Sequence, residues 1–262
     1  MEILQDIKLG FDDVQLTPKE SKIGSRKDVD LFGMICRDPQ NNRGLYRHRI
    51  VASNLDVTGT FAMSKQLQKR RMFTLLHKYY SLKDLVDHYC LCQYSGHSFY
   101  TLGIKQDDLD KFDSFIKEMI KYNRVIPELI HFDTPNGYLV KFHDIIKRFK
   151  EKYPYLIIMA GNICDEKGIE LLSNAGACLI KCGIGNGNLC RTSIKSSIGR
   201  PQFSMLVDCK KAAIANNVSI VSDGGIKSPS DICKAIGAGA SLVICGSLFC
   251  GYDQNEGEWI YK

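Results

Sequence analysis

From about residue 48 onward, short apolar runs alternate with stretches of helical period. Eight runs read as strands: Arg49–Ala52, Met72–Leu76, Ser98–Leu102, Glu128–Phe132, Leu156–Ala160, Leu179–Cys182, Ser219–Ser222 and Leu242–Cys245. They are short and mostly unalternating, which predicts parallel strands covered on both faces. Amphipathic segments lie between them, for example Leu109–Tyr122 and Tyr138–Lys152, the latter with Pro154 just beyond its end. By count alone, eight such units fit either a closed barrel or an open sheet.

An internal echo favours closure. Ala175–Gly183 repeats the pattern of Ala238–Gly246: a small-residue turn, a buried strand, and a glycine at the strand's C-terminal end. The expectation is one (β/α)8 TIM-barrel domain over residues 1–262, with residues 1–47 as an irregular extension decorating the barrel. Within that extension Asn41-Asn42-Arg43-Gly44 marks a turn or a short hairpin.

Composition adjusts this picture only slightly. The 262 residues suit one barrel, and 44% apolar with 24% charged residues is ordinary for a globular chain. The net charge of +6 is scattered. The run Lys69-Arg70-Arg71 sits beside an apolar segment and reads as a solvated helix end. That balance suits an anionic small molecule, and no nucleic-acid partner is expected. Several of the eleven cysteines lie inside apolar runs, such as Cys178 and Cys245, where they act as small core residues. Cys90 and Cys92 have no second pair at zinc-finger spacing. No signal-peptide pattern and no bilayer-length apolar run occurs, so a cytoplasmic chain without membrane contact is expected.

The candidate chemistry gathers where strands end. After the sixth strand comes Gly183-Ile184-Gly185-Asn186-Gly187-Asn188-Leu189-Cys190-Arg191-Thr192. Alternating glycines let a backbone bend tightly and turn its carbonyls or N–H groups toward an ion or a phosphate. Cys190 closes that loop in a polar setting, with Thr192 two residues on. The residues alone fit a nucleophilic thiol and a bystander in a glycine-rich turn equally well. Ser222-Asp223-Gly224-Gly225 ends the seventh strand, and Gly246-Ser247 ends the eighth. Alone, Asp-Gly-Gly is a turn; together the two strand ends favour a phosphate site at the barrel's catalytic rim. Asn54, Asp56, His77, Lys78, Asp133, Asn136 and Asn162 also fall at strand ends. Each by itself is an ordinary cap or turn residue, and Lys78 is the best placed of them to meet a phosphate or a cofactor.

Taken together these stretches resemble the IMP dehydrogenase/GMP reductase family, on its GMP reductase side. The resemblance runs from Leu9–Val14 and Ser25–Val29 through Ala52–Phe61, His77–Ser81 and Asp133–Tyr138. It continues through the glycine-cysteine loop, Gly199–Gln202 and Ser222–Gly225. Val57–Phe61, Asn136–Tyr138 and His77–Ser81 look like the reductase versions of their motifs, and no regulatory insert separates strands two and three. What the resemblance implies is NADPH-dependent reductive deamination of GMP to IMP and ammonia, a step of purine salvage, through a thioimidate on Cys190 with Thr192 assisting. It implies nucleotide contacts at Asn188, Asp223, Gly224, Gly225, Gly246 and Ser247. It implies NADPH contacts at Ser25, Arg26, Lys78, Asp133, Thr134, Pro135, Ile184 and Gly185. It implies a potassium ion on carbonyls of Gly185, Gly187 and Cys190, and a homo-oligomer, tetrameric in the family.

The sequence departs from the family pattern at Asn188, at Arg191 within Cys190-Arg191-Thr192-Ser193, at Pro135 and at Arg200. It also stops at Lys262, fifteen residues past Ser247, where the family continues into a flap and a final helix. Glu256 and Glu258 lie too soon after strand eight to take the flap glutamate's role. The resemblance therefore implies an activity impaired by the absent flap. The alternative is a non-catalytic, nucleotide-binding or subunit-interaction homologue.

Overall fold

The computed structural model describes residues 6–37, 44–91, 95–187 and 195–257. An antiparallel pair, β1 (Phe32–Arg37) and β2 (Gly44–His48), precedes the barrel. The eight barrel strands are β3 (Ile50–Ala52), β4 (Phe73–Leu75), β5 (Ser98–Leu102), β6 (Leu129–Phe132), β7 (Ile157–Ile163), β8 (Leu179–Cys182), β9 (Ser219–Asp223) and β10 (Leu242–Cys245). Every neighbour is parallel, and β10 pairs with β3 to close the ring. Closure removes the exposed strand edges that the open-sheet alternative would leave.

Helices cover the outer face: α1 (Phe61–Lys69), α2 (Leu82–Leu91), α3 (Gln106–Lys121), α4 (Val140–Lys152), α5 (Glu166–Asn174), α6 (Gln202–Ala215) and α7 (Pro229–Ala238). Their placement follows from periodicity. In α3 the buried residues are Phe112, Phe115, Ile116 and Met119, and in α4 they are Phe142, Ile145, Ile146 and Phe149, each set one helical stripe. The stripe of α4 begins two residues later than its pattern suggests. Asn136 Oδ1 accepts the backbone N–H of Tyr138 at 3.0 Å, and the Tyr138 hydroxyl reaches Asp165 at 2.8 Å, so Tyr138 is committed to a turn. Pro229 opens α7, with Ser228 and Asp231 forming a capping box.

Strand alternation sorts the side chains into an interior and a helix-facing layer. Val51, Phe73, Leu75, Phe99, Leu129, Ile157, Met159, Leu179, Val221, Leu242 and Ile244 form one buried cluster within the barrel. Their neighbours Tyr100, Ile130, Phe132, Ile158, Ile180, Cys182, Val243 and Cys245 join the helices in another. Ile35 and Cys36 of β1 belong to the interior cluster. The N-terminal hairpin therefore plugs the barrel, which is why a segment without barrel periodicity carries buried apolar residues. The turn expected at Asn41–Arg43 lies outside the described residues, although the strands on either side pair as a hairpin would.

β7 runs three residues further than its apolar pattern, through Gly161 and Asn162 to Ile163, with a bulge against β8. Two polar-looking turn positions are thus part of the barrel wall. Of the nine described cysteines none is in a disulfide, and Cys178, Cys182 and Cys245 are buried within strands or beside them. No helix among the described residues is long and apolar enough to cross a membrane.

Phe112 is fully buried and its ring lies 5.0 Å from both Tyr100 and Phe149. Phe112→Ala should cost about 3–5 kcal/mol of unfolding free energy through the cavity it leaves, readable as a lower urea midpoint.

Candidate active site

The interior turns polar toward the C-terminal ends of the strands. One step up from the apolar layer, alternation brings Thr101 of β5, His131 of β6, Gly161 of β7, Lys181 of β8 and Asp223 of β9 to the inside. Above them opens a cavity of about 660 Å³. Its lining comes from the ends of β3, β7, β8, β9 and β10 and from the loops after β4 and β6.

One wall carries the residues for which the sequence suggests nucleotide contacts. Asp223, Gly224, Gly225, Gly246 and Ser247 all line the cavity. Gly224 (φ 94°) and Gly225 (φ 78°) occupy left-handed backbone, and a Cβ on Gly224 would meet the Gly187 nitrogen at 3.0 Å. The loops after β8 and β9 can approach so closely only because glycine is present on both sides. The hydroxyl of Ser247 donates to the Ile226 carbonyl at 3.2 Å and ties the β10 loop to the β9 loop.

The opposite wall carries Lys78 and Asp133. Lys78 Nζ and Asp133 Oδ2 are 2.8 Å apart, each side chain about a third exposed. Burial opposes ionisation of Asp133, but the positive field of the groups around it, His131 when protonated and then Lys181 and Lys78, outweighs that effect and holds its carboxyl down at about 2. Lys78 is raised despite its own desolvation, because Asp133 favours its charged form. His131 is completely buried, and burial first, then the Lys181 charge, drives it well below the usual imidazole range. It is therefore neutral, with Nδ1 sharing a 3.0 Å hydrogen bond with the Thr101 hydroxyl.

Two amides brace the floor. Asn162 Nδ2 donates at 2.7 Å both to Asp223 Oδ2 and to the Gly183 carbonyl. Gln202, at the start of α6 and 3% exposed, donates to the Cys182 carbonyl at 2.9 Å and to Ser222 Oγ at 3.1 Å. Its Oε1 accepts from Asn186 Nδ2 at 2.5 Å, which anchors the glycine-rich loop. A side chain on Gly183 would collide with the Asp223 carbonyl oxygen, so that loop leaves β8 only through glycine.

The expected site residues thus divide. Asp223, Gly224, Gly225, Gly246, Ser247, Lys78, Asp133, Gly185 and Gly187 meet at one cavity. Thr134 and Ile184 are buried close behind its wall in sequence, while Pro135 is exposed and outside the lining. Ser25 and Arg26 stand exposed in a short 3-10 turn before β1 and do not line the cavity. Cys190, Thr192 and Asn188 lie outside the described residues, as does Arg191. Arg200 points elsewhere: its guanidinium pairs with Asp208 at 2.5 Å and Glu166 at 3.8 Å. Glu256 accepts from the Tyr80 hydroxyl at 2.5 Å, and Asn255 donates to the Val57 carbonyl at 2.9 Å, so this segment rests on the loops after β3 and β4.

Lys181 and His131 were missed by the sequence reading because both sit inside strands. A lysine at the centre of Leu179–Cys182, a strand buried on both faces, was a usable signal, since a buried ammonium needs a compensating charge.

With the geometry in place, likeness to known proteins decides the lineage. Residues 101–262 match the family model described as the IMP dehydrogenase / GMP reductase domain. GMP reductase of Caenorhabditis elegans is 38% identical over 260 residues, covering 97% of this chain and 70% of that protein. The chain belongs to the IMP dehydrogenase/GMP reductase family. Human GMP reductase 1 is 36% identical, covering 97% of this chain and 72% of its own length. GMP reductase of Buchnera aphidicola is 35% identical over all of this chain and 74% of its own. Among solved structures, inosine 5′-monophosphate dehydrogenase from Legionella pneumophila superposes with a TM-score of 0.83 at 25% identity, over 98% of this chain and 74% of that one. The family is one of oxidoreductases on a TIM barrel, and this member is GMP reductase-like.

The depressed carboxyl of Asp133 carries a stability consequence. It is lower in the folded chain, at about 2 against an ordinary 3.8, so the unfolded chain takes up the proton more readily. The stabilisation from Asp133 should be present in full above about pH 4 and disappear as pH falls through about 2. Urea melts of the native chain and Asp133→Asn across that window should converge.

Proposed function

We propose that this chain catalyses NADPH-dependent reduction of GMP to IMP with release of ammonia. The observation that carries the reading is the cavity itself. Asp223-Gly224-Gly225 and Gly246-Ser247 form one wall and the Lys78–Asp133 pair the other, in a member of this family. A 5′-phosphate suits the glycine-rich ends of β9 and β10, where main-chain groups are accessible without side chains in the way. The Asp223 carboxylate suits ribose hydroxyls as an acceptor.

NADPH, when bound, supplies the hydride. The residues present fit such a group: an ammonium on the cavity wall for an anion, beside Tyr79, which is 72% exposed and offers a planar surface for a ring. Ser25 and Arg26 belong to this proposal through the family resemblance alone. For potassium, the proposed donors are the carbonyls of Gly185, Gly187 and Cys190, all oxygens, as a hard monovalent cation prefers. Among the described residues no cluster of three His, Cys, Asp or Glu side chains offers a metal another site.

In the proposed reaction the Cys190 thiolate attacks C2 of the guanine. A C–S bond forms, the C2–amino bond breaks, and the amine leaves as ammonia after taking a proton with the help of Thr192. The resulting thioimidate accepts hydride at C2, and expulsion of the thiolate yields IMP. Division into two steps is what a covalent nucleophile contributes. Asp133, ionised and paired, holds the Lys78 ammonium in place on the cavity wall. Homo-oligomer formation is part of the same proposal and is read by light scattering.

The test is oxidation of NADPH by the 262-residue chain with GMP, followed at its absorbance band. GMP-dependent consumption is expected, and Cys190→Ala should fall below about a thousandth of the native rate. Intact-mass measurement after incubation with GMP should show an adduct on the native chain and none on Cys190→Ala. Calorimetric GMP binding with no NADPH consumption would instead make the chain a nucleotide-binding homologue. Neither binding nor turnover in folded protein would end the reading.

A further inference from the structure

Lys181 is the most buried cation of the described chain near any cavity, with 2% of its surface exposed. It sits at the centre of β8, and alternation turns it into the barrel: Leu179 belongs to the interior cluster, while Ile180 and Cys182 pack against the helices. Room for it is made by its neighbour. Gly161 is its register partner on β7, and a Cβ there would lie 2.5 Å from the Cβ of Lys181. A buried ammonium is costly to keep, and a well-packed apolar side chain of similar volume is often as stable or more so. Its presence calls for a role that stability does not supply.

Its contacts indicate that role. Lys181 Nζ lies 3.9 Å from Asp223 Oδ2, the same oxygen that accepts from Asn162 at 2.7 Å. Among the described residues Asp223 Oδ1 takes no hydrogen bond, and Asp223 lines the cavity. The other groups facing this centre are His131 from β6, buried and neutral, Asp133 beyond the same strand, and Lys78 paired with it.

We propose that Lys181 is a positioning residue of the nucleotide site, holding Oδ2 of Asp223 together with Asn162 so that Oδ1 faces the ribose hydroxyls of the ligand. The inference rests on the nucleotide reading of Asp223. Lys181 itself is outside the cavity lining and acts only through the carboxylate. A carboxylate free to rotate about its side-chain bonds would have to be ordered at each binding event, and the buried ammonium removes that cost beforehand.

The experiment is a double-mutant cycle on GMP affinity, measured by calorimetry with GMP itself, using the native chain, Lys181→Met, Asp223→Asn and the double variant. Each single change should weaken binding by about tenfold. The double variant should also be about tenfold weaker, because both changes remove one interaction. Thermal melts should show Lys181→Met as stable as the native chain or more stable, an outcome a structural role would not produce. Lys181→Gln repeats the measurement should the methionine variant fail to fold. Native-like GMP affinity in folded Lys181→Met overturns the inference, and so do losses that multiply to about a hundredfold. Failure of both Lys181 variants to fold assigns the lysine to stability and overturns it as well. Absence of GMP binding by the native chain, or native affinity in Asp223→Asn, would instead sink the nucleotide site from which the inference starts.

Discussion

A barrel of eight short parallel strands must fill its own interior, and the change from apolar to polar filling along that axis governs everything else in this protein. At the N-terminal end Phe73, Leu129, Ile157, Leu179 and Leu242 pack together, closed off by Ile35 of the hairpin. Two residues further along the same inward face, the side chains become Thr101, His131, Lys181 and Asp223. Buried polar groups of this kind persist only when they compensate one another. The floor of the cavity accordingly holds two small groups: a neutral histidine bonded to a threonine through Nδ1, and a lysine and an asparagine that both approach one aspartate, while among the described residues His131 Nε2 takes no hydrogen bond.

That floor determines how the loops above it are held. The loop after β8 begins at Gly183, which is pressed against the Asp223 backbone, and is anchored through Asn186 to Gln202 on α6. Gln202 also reaches back to β8 and β9, so one amide registers two strands and a loop. On the far wall Lys111 of α3 donates to the carbonyls of Lys78 and Tyr80 at 2.9 and 3.2 Å and fixes the turn that presents Lys78. Helices on the outside thus steady residues at the mouth, which gives the site a rigid frame even though its residues come from loops.

Much of this was legible beforehand for physical reasons. A strand buried on both faces has no choice but to be apolar along its length, so β5, β8 and β10 start and stop where their runs do. Amphipathic stripes fixed α3 and α4 to within a few residues. Glycines at the ends of β8, β9 and β10 were informative because close loop approach admits no other residue. Boundaries slipped where a polar residue was recruited by tertiary contacts: Tyr138 into a turn with Asp165, and Asn162 into β7. Arg200, conspicuous as a departure from the family pattern, proves to be occupied with Asp208 and Glu166.

By itself the sequence determined the number of barrel strands, the faces of the helices, the rim where the polar and glycine residues gather and the family to which the chain belongs, because each depends on local pattern or ordered motifs. Only the tertiary structure decided which distant residues meet: Lys78 with Asp133 across 55 positions, Asn162 with Asp223 across 61, Ile35 beneath the barrel floor. It also decided that a lysine in mid-strand lies beside a carboxylate at the cavity rather than in solvent. Periodicity tells a residue's face, but a charge buried in a closed ring is balanced by strands whose order around the ring no local pattern records.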